Sequence, residues 1–359
     1  MLKTYQKYIL KNFLLKFFLI TLIFFLLIFI LGSLEEISFF KDLDVNFFYP
    51  YFLTFLNSPV TLFEIFPFIF FLSSQFLFFD LIKKNELNLL KTNGLKNTSL
   101  LKDIFLFSLL IGIFNIIVFY NFASNLKFYY SDIKNSYSND NKYLAMITQS
   151  GLWIKDENND QKMIINSELI KDNHIYNVII NIFNNDFELV KIIQSEKVDI
   201  KSENWIIHNP KITSGNITYF ENYNVYLKTH FNYQKILNLF SNIYTLNILK
   251  LLDLKKDYEN LGYSSDEITI HLLKLLTTPF LCGVMSLLSA TIMLSINRNS
   301  SFIFYIGVGF VVSVLIYYLI FFFTSLGNSG KIPVILSIVF PLSILSILSI
   351  IGIININEK

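Results

Sequence analysis

This sequence of 359 residues has little cysteine, little histidine and little net charge, and each scarcity excludes a class of site. Cys282 is the only cysteine, so the chain can form neither an intrachain disulfide nor a metal site built from several thiolates. The four histidines lack the short spacings of a zinc site. They are His174, His208, His230 and His271. The net charge is only +2 and the basic residues are scattered, which argues against a nucleic-acid-binding protein.

Motifs of catalysis and nucleotide binding are also missing. The run from Gly327 to Lys331 is superficially like a phosphate-binding loop, but its spacing is too short and Ile332 stands where that loop needs Ser or Thr. Neither a nucleophile elbow nor a Ser-x-x-Lys motif with supporting partners occurs. An enzyme that acts by itself is therefore not expected, and we expect this chain to bind no cofactor and no metal.

Long apolar runs are the main positive feature of the sequence. Hydrophobic residues make up 53% of the chain, and 39 residues are Phe, which is more apolar surface than a soluble domain of this size buries. A helix needs about 20 apolar residues to cross a bilayer, and five runs meet this length. These runs are 13–31, 104–123, 275–296, 301–326 and 332–354. The first run is too long for a signal peptide, and no small-residue cleavage site follows it.

The stretch 47–82 is apolar throughout but is interrupted by prolines and by Glu64. Two spans here would need a turn at Glu64, and no turn signal is evident. We therefore predict a short interfacial segment near Tyr51 to Leu56, followed by one span from about Val60 to Leu81. That span brings the number of transmembrane helices to six. Glu64 becomes an ionisable residue within the membrane, and such residues usually have a functional role.

Lysines indicate how the spans are oriented, because short cytoplasmic loops retain Lys and Arg. Three lysines precede the first span and five lie in the loop 83–102, whereas the segment 35–44 after the first span is acidic. Arg298, the only arginine, falls in the turn between the fourth and fifth spans, on the same side as these lysines. Both termini are therefore predicted to be cytoplasmic, and the segment of about 125–267 is predicted to lie outside the cytoplasm.

The segment 125–267 has strand patterns in place of helical ones. Between Val225 and Phe231, apolar or β-branched residues alternate with Tyr, Lys and His, and turns rich in Asn and Asp separate such runs. This pattern is typical of an all-β sandwich or roll, and it becomes helical again near the end of the segment. The predicted fold class is α+β: a six-helix transmembrane bundle, 1–124 and 268–359, with an inserted β domain and a helical return.

The loop after the second span contains a short amphipathic pattern. Leu87 and Leu90, with Leu89 beside them, are predicted to share one face of a helix that Glu86 and two lysines flank. Gly94 is placed to end this helix. Two interpretations remain open on the pattern alone: a helix that rests on anionic lipid, and a coupling helix that docks on a separate ATPase.

Several stretches, in this order and with this topology, resemble the LptF/LptG family. They extend over nearly the whole chain, from a basic N-terminal helix to the fourth span. The stretches are 5–16, 58–67, 85–94, 151–156, 195–205, 258–262 and 274–279. The run Gly151-Leu-Trp153-Ile-Lys-Asp156 is more similar to the LptG branch than to the LptF branch.

This resemblance implies a permease subunit of an ABC transporter that extracts lipopolysaccharide from the inner membrane. The subunit would pass the lipid to a periplasmic bridge of β-jellyroll domains. The implied partners are an LptF-like permease in a heterodimer, a dimer of an LptB-like ATPase, and an LptC-like membrane-anchored jellyroll protein. ATP would be used by the ATPase partner. By the same resemblance the inserted domain is a periplasmic jellyroll and residues about 84–95 form the coupling helix.

The resemblance also implies which residues contact these partners. Those that match the coupling-helix pattern, and are expected to meet the ATPase, are Glu86, Leu87, Leu90 and Gly94. Family members carry basic residues near the outer end of the first span that contact the lipid's phosphates, but this chain has Glu35 and Glu36 there. The expected substrate contacts are Lys41, which is the nearest basic substitute, Glu64, Trp153 and Trp205. The two tryptophans would either line the jellyroll groove or fill its core.

Two other functions fit parts of the sequence. A permease of another lipid or lipoprotein exporter would share the coupling helix, but such permeases typically have four spans and a larger external domain. A membrane-anchored sensor would use the β domain to bind a ligand, but it would need a cytoplasmic signalling module, and none is evident in these residues.

Overall fold

The computed structural model describes most of the chain as helices and one β-sheet. The described residues are 3–41, 43, 45–137, 152–158, 161–171, 173–184, 186–215, 217–221, 223–233, 235–236, 242–260, 264–295 and 302–357. Their α-helices are α1 (Thr4–Phe39), α2 (Tyr49–Glu64), α3 (Phe66–Lys83), α4 (Glu86–Thr92), α5 (Asn97–Phe114), α6 (Asn121–Tyr137), α7 (Ile248–Asn260), α8 (Asp266–Ser295), α9 (Phe302–Asn328) and α10 (Val334–Asn357).

Within the described residues, six helical segments are long and apolar enough to cross a membrane. They are α1, α3, the segment Asn97–Lys134, α8, most of α9 and α10. The segment Asn97–Lys134 joins α5 to α6 through a π-helical turn at Asn115–Tyr120. These six segments, with an antiparallel sheet inserted between the third and the fourth, confirm the predicted α+β membrane fold.

The chain divides into two compact units. The helical unit comprises the described parts of Met1–Tyr130, Leu246–Ile248 and Asp266–Lys359. The β unit comprises the described parts of Ser131–Thr245 and Leu249–Ser265. The boundaries therefore fall within α6 and at the start of α7, so each of these two helices contributes to both units.

In the helical unit, α1 packs against α2 and α3, which run in the opposite direction. Phe25 contacts Phe55 of α2, with ring centroids 6.3 Å apart. Nearer the start of α1, Phe17 contacts Phe66 of α3, with centroids 6.0 Å apart. The α2–α3 pair therefore lies along most of the length of α1.

One span forms in the stretch 47–82, as predicted, but it is α3 (Phe66–Lys83) and not a span from about Val60 to Leu81. Ile65, with φ −94° and ψ 2°, separates α2 from α3. Pro67 explains the break, because its ring has no N–H to continue the hydrogen-bond ladder and clashes with the preceding turn. The segment predicted to be interfacial, Tyr51 to Leu56, lies within α2.

Small and polar residues allow α3, α5 and α8 to approach closely. Ser74 of α3 donates a hydrogen bond to the carbonyl of Ser286 on α8 (2.9 Å), and Ser108 of α5 donates to the Ser286 hydroxyl (2.8 Å). A Cβ at Gly283 would lie 2.7 Å from the Phe105 ring, so only glycine permits this packing of α8 on α5. Contacts of this kind are typical of helices that associate in a membrane.

Apolar side chains also point outward from the helical unit. Leu15 and Phe18 of α1, and Phe310 and Leu315 of α9, are each more than half exposed. Long apolar helices with exposed faces are suited to lipid or to neighbouring transmembrane helices rather than to water.

The β unit is built on an antiparallel sheet. Its described strands are β1 (Leu152–Asn158), β2 (Gln161–Ser167), β3 (Leu169–Lys171), β4 (His174–Phe183), β5 (Leu189–Asp199), β6 (Asn204–His208), β7 (Lys211–Ser214), β8 (Ile217–Phe220) and β9 (Val225–Lys228). The strand order is β1-β2-β4-β5-β6-β9, with β3 on β4, β7 on β5 and β8 on β7.

Alternating side chains form the core of the β unit. Thr229 and Phe231 are buried and Tyr226 is exposed, which confirms the predicted alternation from Val225 to Phe231. Trp205 of β6 is fully buried, and its indole N–H donates to the carbonyl of Phe231 (2.7 Å). This hydrogen bond satisfies the polar atom of the largest side chain in the core.

The two ends of the sheet meet at one buried carboxylate. Asp156, on the first strand in the order, accepts hydrogen bonds from the backbone N–H of His230 (3.0 Å) and from its ring Nδ1 (2.8 Å). His230 follows β9, the last strand in the order. The sheet therefore curls until its two edges are joined, as in a roll.

Candidate functional site

The short helix α4 lies between α3 and α5, and its ends are defined by residues in the left-handed region. Asn85 precedes the helix with φ 57°. Gly94 follows the helix with φ 84°. The N–H of Gly94 donates to the carbonyl of Lys91 (2.9 Å), and the N–H of Leu95 donates to the carbonyl of Leu90 (3.1 Å). This pair of hydrogen bonds is the Schellman motif, in which glycine is favoured because it has no Cβ. Gly94 therefore ends α4 as predicted.

The leucines of α4 point in different directions. Leu87 is buried in the helical unit and Leu90 is partly buried. Leu89, in contrast, is 61% exposed, and Asn88 and Lys91 beside it are also exposed. The outward face of α4 therefore combines one leucine with polar side chains, whereas Leu87 anchors the helix to its own chain.

The first turns of α1 are bonded to the segments on both sides of α4. Tyr8 donates its hydroxyl proton to a carboxylate oxygen of Glu86, the first residue of α4 (2.7 Å). Gln6 donates to Asp103 of α5 (2.8 Å). Lys16 forms a salt bridge with Asp80 of α3, with Nζ and Oδ2 2.5 Å apart. We call the region of these three bonds the α4 end of the helical unit.

Toward the other end of α1, a group of polar residues links α2, α6 and α8. Lys127 of α6 donates to the side-chain oxygen of Asn57 on α2 (2.5 Å), and its Nζ lies 4.5 Å from the centroid of the Tyr130 ring. The carboxylate of Glu64 interacts electrostatically with Lys127 and with Lys274 of α8. The predicted substrate residue Glu64 thus has two lysines in its electrostatic surroundings.

A buried tyrosine and a buried histidine form hydrogen bonds in the helical unit. The Tyr120 hydroxyl lies 3.0 Å from the Leu246 carbonyl, to which it donates, and 2.9 Å from Nε2 of His271. His271 is buried and hydrogen-bonded to Tyr120. Among the residues that the structure describes, no group of three or more His, Cys, Asp or Glu could hold a metal ion.

The sequence model of the family described as lipopolysaccharide export system permease LptF/LptG matches residues 7–355, nearly the whole chain. The chain belongs to the LptF/LptG family. It is therefore a lipopolysaccharide export permease and an inner-membrane, multi-pass protein. A search of curated proteins found no match to this sequence.

The acidic residues that distinguish this chain from the LptF/LptG pattern are now placed. Glu36 is only 2% exposed and accepts a hydrogen bond from the Tyr130 hydroxyl (2.7 Å), whereas Glu35 and Lys41 are exposed. Glu36 is therefore folded into the helical unit, and its carboxylate is not presented to a ligand on the surface. We call this region the Glu36 end.

The two tryptophans expected to contact substrate in an LptF/LptG protein lie in different environments. Trp205 is in the core of the β unit, and Trp153, in register with Asn166 across β1 and β2, is 52% exposed. Their contact with substrate, like that of Lys41 and Glu64, remains a prediction. The roles of Glu86, Leu87, Leu90 and Gly94 toward an ATPase also remain predictions.

Sequence reasoning missed three residues that the structure brings to these sites. Tyr8 reaches Glu86 across 78 positions, and Tyr130 reaches Glu36 across 94. Lys127 interacts electrostatically with Glu64. Leu89, predicted to share the face of Leu87 and Leu90, is instead exposed, because residues two positions apart do not share a face of a helix.

Proposed function

We propose that this LptF/LptG protein is the LptG-like half of a permease heterodimer that is driven by an LptB-like ATPase dimer. The permease extracts lipopolysaccharide from the inner membrane and delivers it to a periplasmic jellyroll bridge that begins with an LptC-like protein. The observation that carries the proposal is α4, a short helix between two spans with Leu89 and Lys91 exposed. Such a helix offers a docking surface to a separate subunit.

An external source of energy is physically required for this reaction. Moving one CH₂ group out of an apolar environment into water costs about 0.8 kcal/mol, so a lipid with several acyl chains does not leave the membrane unaided at a useful rate. The sequence of this chain has no phosphate-binding loop. The chain therefore acts as a non-catalytic subunit, and ATP hydrolysis belongs to its ATPase partner.

The orientation that suits this reaction puts the α4 end in the cytoplasm and the β unit in the periplasm. The five lysines of the loop 83–102 and the three lysines before residue 12 support it, because cytoplasmic loops retain positive charge. The β unit then serves as a jellyroll that receives the lipid. Its exposed Trp153 and buried Trp205 are the candidate residues for groove and core.

The acyl chains and the phosphates of the lipid would contact different parts of this protein. The exposed apolar faces of α1 and α9 are suited to acyl chains. For the phosphates, we assign Lys41, the exposed lysine that follows the end of α1. The inward position of Glu36 removes one negative charge from the surface that would meet an anionic lipid.

Depletion of the chain in an otherwise intact cell tests the proposal. Lipopolysaccharide is expected to accumulate in the inner membrane, while lipoproteins still reach their destination. Surface lipopolysaccharide at the normal level after depletion would contradict the assignment.

Purification of the tagged chain is expected to recover an ATPase and a second permease. The variant Leu89→Asp is expected to lose the ATPase, while the exposed control Leu15→Ala on α1 retains it.

A further inference from the structure

The hydrogen bond between Tyr8 and Glu86 connects α1 directly to α4. The donor is the phenol of Tyr8, the acceptor is a carboxylate oxygen of Glu86, and the two oxygens are 2.7 Å apart. Tyr8 is 42% exposed, so the bond lies on the surface of the α4 end. A protein that docks on the outward face of α4 would therefore act on a helix already tied to α1.

The first turns of α1 are also fixed to the rest of the α4 end. Ile9 and Phe13 are fully buried, and the Phe13 ring lies 6.1 Å from that of Phe70 on α3. The Gln6–Asp103 and Lys16–Asp80 contacts add polar links to α5 and α3. These contacts tie α1 to α3 and α5, whereas the Tyr8–Glu86 bond ties it to α4 itself, so a displacement of α4 acts on α1 through that bond.

Three helices lead away from the α4 end, and α1 differs from the other two. The path through α3 is broken at Ile65, and the path through α5 passes a π-helical turn at Asn115–Tyr120. Breaks of this type allow a helix to bend. α1 contains no proline and continues without a break from Thr4 to Phe39. At 1.5 Å per residue, Tyr8 and Glu36 are about 42 Å apart along one helix.

We propose that Tyr8 is a positioning residue that links the coupling helix to α1. Through this bond, movement imposed on α4 is carried along the unbroken helix to the Glu36 end, where α1 is bonded to α6. The inference rests on the proposed function of α4 as the helix on which an ATPase docks. It adds a second mechanical route, beside the chain connections of α4 to α3 and α5.

The test uses the complete complex of both permeases, the ATPase and the LptC-like partner in vesicles of phospholipid and lipopolysaccharide. The quantity measured is the lipopolysaccharide transferred to the LptC-like partner per ATP hydrolysed. Tyr8→Phe keeps the ring and removes only the hydroxyl. We expect this variant to assemble normally and to hydrolyse ATP, but to transfer about twofold less lipid per ATP, the effect of one lost hydrogen bond at a surface.

Two further variants make the result specific. Tyr318→Phe is the matched control, because Tyr318 is an exposed tyrosine of α9, and its ratio is expected to equal that of the wild type. In a Glu86→Ala background, Tyr8→Phe is expected to have no additional effect, because its partner is already gone. The inference is overturned if Tyr8→Phe, in an otherwise wild-type complex, transfers as much lipopolysaccharide per ATP as the wild type.

The inference is also overturned by an equal effect of Tyr8→Phe in both backgrounds, or by release of the ATPase from the Tyr8→Phe complex. Release would mean that Tyr8 contacts the ATPase itself. Failure of the proposed function gives a different result, since the wild-type complex would then transfer no lipopolysaccharide at all.

Discussion

Two hydrogen bonds of the same chemistry hold the two ends of α1, and they differ in burial. At the α4 end, Tyr8 donates to Glu86, and at the Glu36 end, Tyr130 donates to Glu36, each at 2.7 Å. The first bond is on the surface, whereas both partners of the second are buried. Water can replace a partner at the surface but not in the interior, so equal geometry does not give equal contributions to stability.

The comparison suggests that the hydrogen bonds at the two ends of α1 have different roles. The buried bond fixes α1 to α6 permanently, because opening it would leave a desolvated carboxylate with one donor fewer. The surface bond contributes less to folding, because water can replace either partner, but it still connects α4 to α1. A third case lies between them in the β unit, where the carboxylate of Asp156 is buried but the ring of His230 is 60% exposed.

Tyr130→Phe tests the buried bond and is expected to have the largest effect. The substitution removes the hydroxyl that donates to Glu36 and leaves the aromatic packing, so the free energy of unfolding should fall by about 2 kcal/mol. The measurement is thermal unfolding of the purified protein in detergent. Tyr129→Phe is the matched control, since Tyr129 is the exposed neighbour on α6. Equal stability of the two variants would show that burial of the Glu36 carboxylate is not what makes the bond important.

His230→Ala tests the intermediate case. The variant removes the ring donor to Asp156 but retains the backbone N–H that donates to the same carboxylate, so we expect a loss of about 1 kcal/mol. Hydrogen exchange of the full chain should show the loss as faster exchange in β1. His208→Ala, which removes a half-buried histidine bonded to Asn224, should leave β1 unchanged. Equal exchange in the two variants would contradict a role for His230 in joining the ends of the sheet.

Tyr8→Phe is expected to change the stability of the isolated chain by less than about 0.5 kcal/mol, as is usual for a surface substitution. Its effect belongs to transport by the assembled complex, not to folding. Thermal unfolding in the same detergent, beside Tyr130→Phe, provides the measurement. A loss as large as that of Tyr130→Phe would remove the distinction between the two ends of α1.

The sequence predicts the parts of this architecture that depend on local patterns. The six spans follow from apolar length, and the end of α4 follows from Gly94, which occupies the left-handed region that glycine favours. The break at Ile65 does not follow from the sequence alone. Pro67 lies next to a break, but Pro59 lies within α2, so the presence of a proline does not by itself predict where a helix ends. Tertiary packing selects which proline interrupts a helix.

The polar links between helices could not be predicted in the same way. The sequence predicts that Glu36 is an acidic residue of an external loop. In the structure it is buried, and Tyr130, 94 positions later, donates a hydrogen bond to it inside the helical unit. Glu86 reads as a residue free to meet a partner, yet Tyr8 already holds it. Such pairs depend on how helices distant in sequence align, and neither residue of a pair has a local pattern that marks the other.

The smallest effect is expected at a solvent-accessible ion pair of the β unit. Lys235 lies 3.0 Å from a carboxylate oxygen of Glu203, and its hydrogen bond and charge hold the pKa of Glu203 below the usual 4.5. A lowered pKa stabilises the fold at pH values above 4.5, and this contribution is lost as the pH falls through the pKa of the folded state. In Lys235→Met the pKa of Glu203 should rise toward 4.5, while thermal stability at pH 7 falls only slightly because the pair is screened by water. Carboxyl-¹³C resonances of labelled glutamates, followed from pH 7 to pH 3 in the full chain, report the shift. A clear loss of stability at pH 7 would mean that exposure does not weaken polar contacts in this protein, and the contrast between the two ends of α1 would then need another cause.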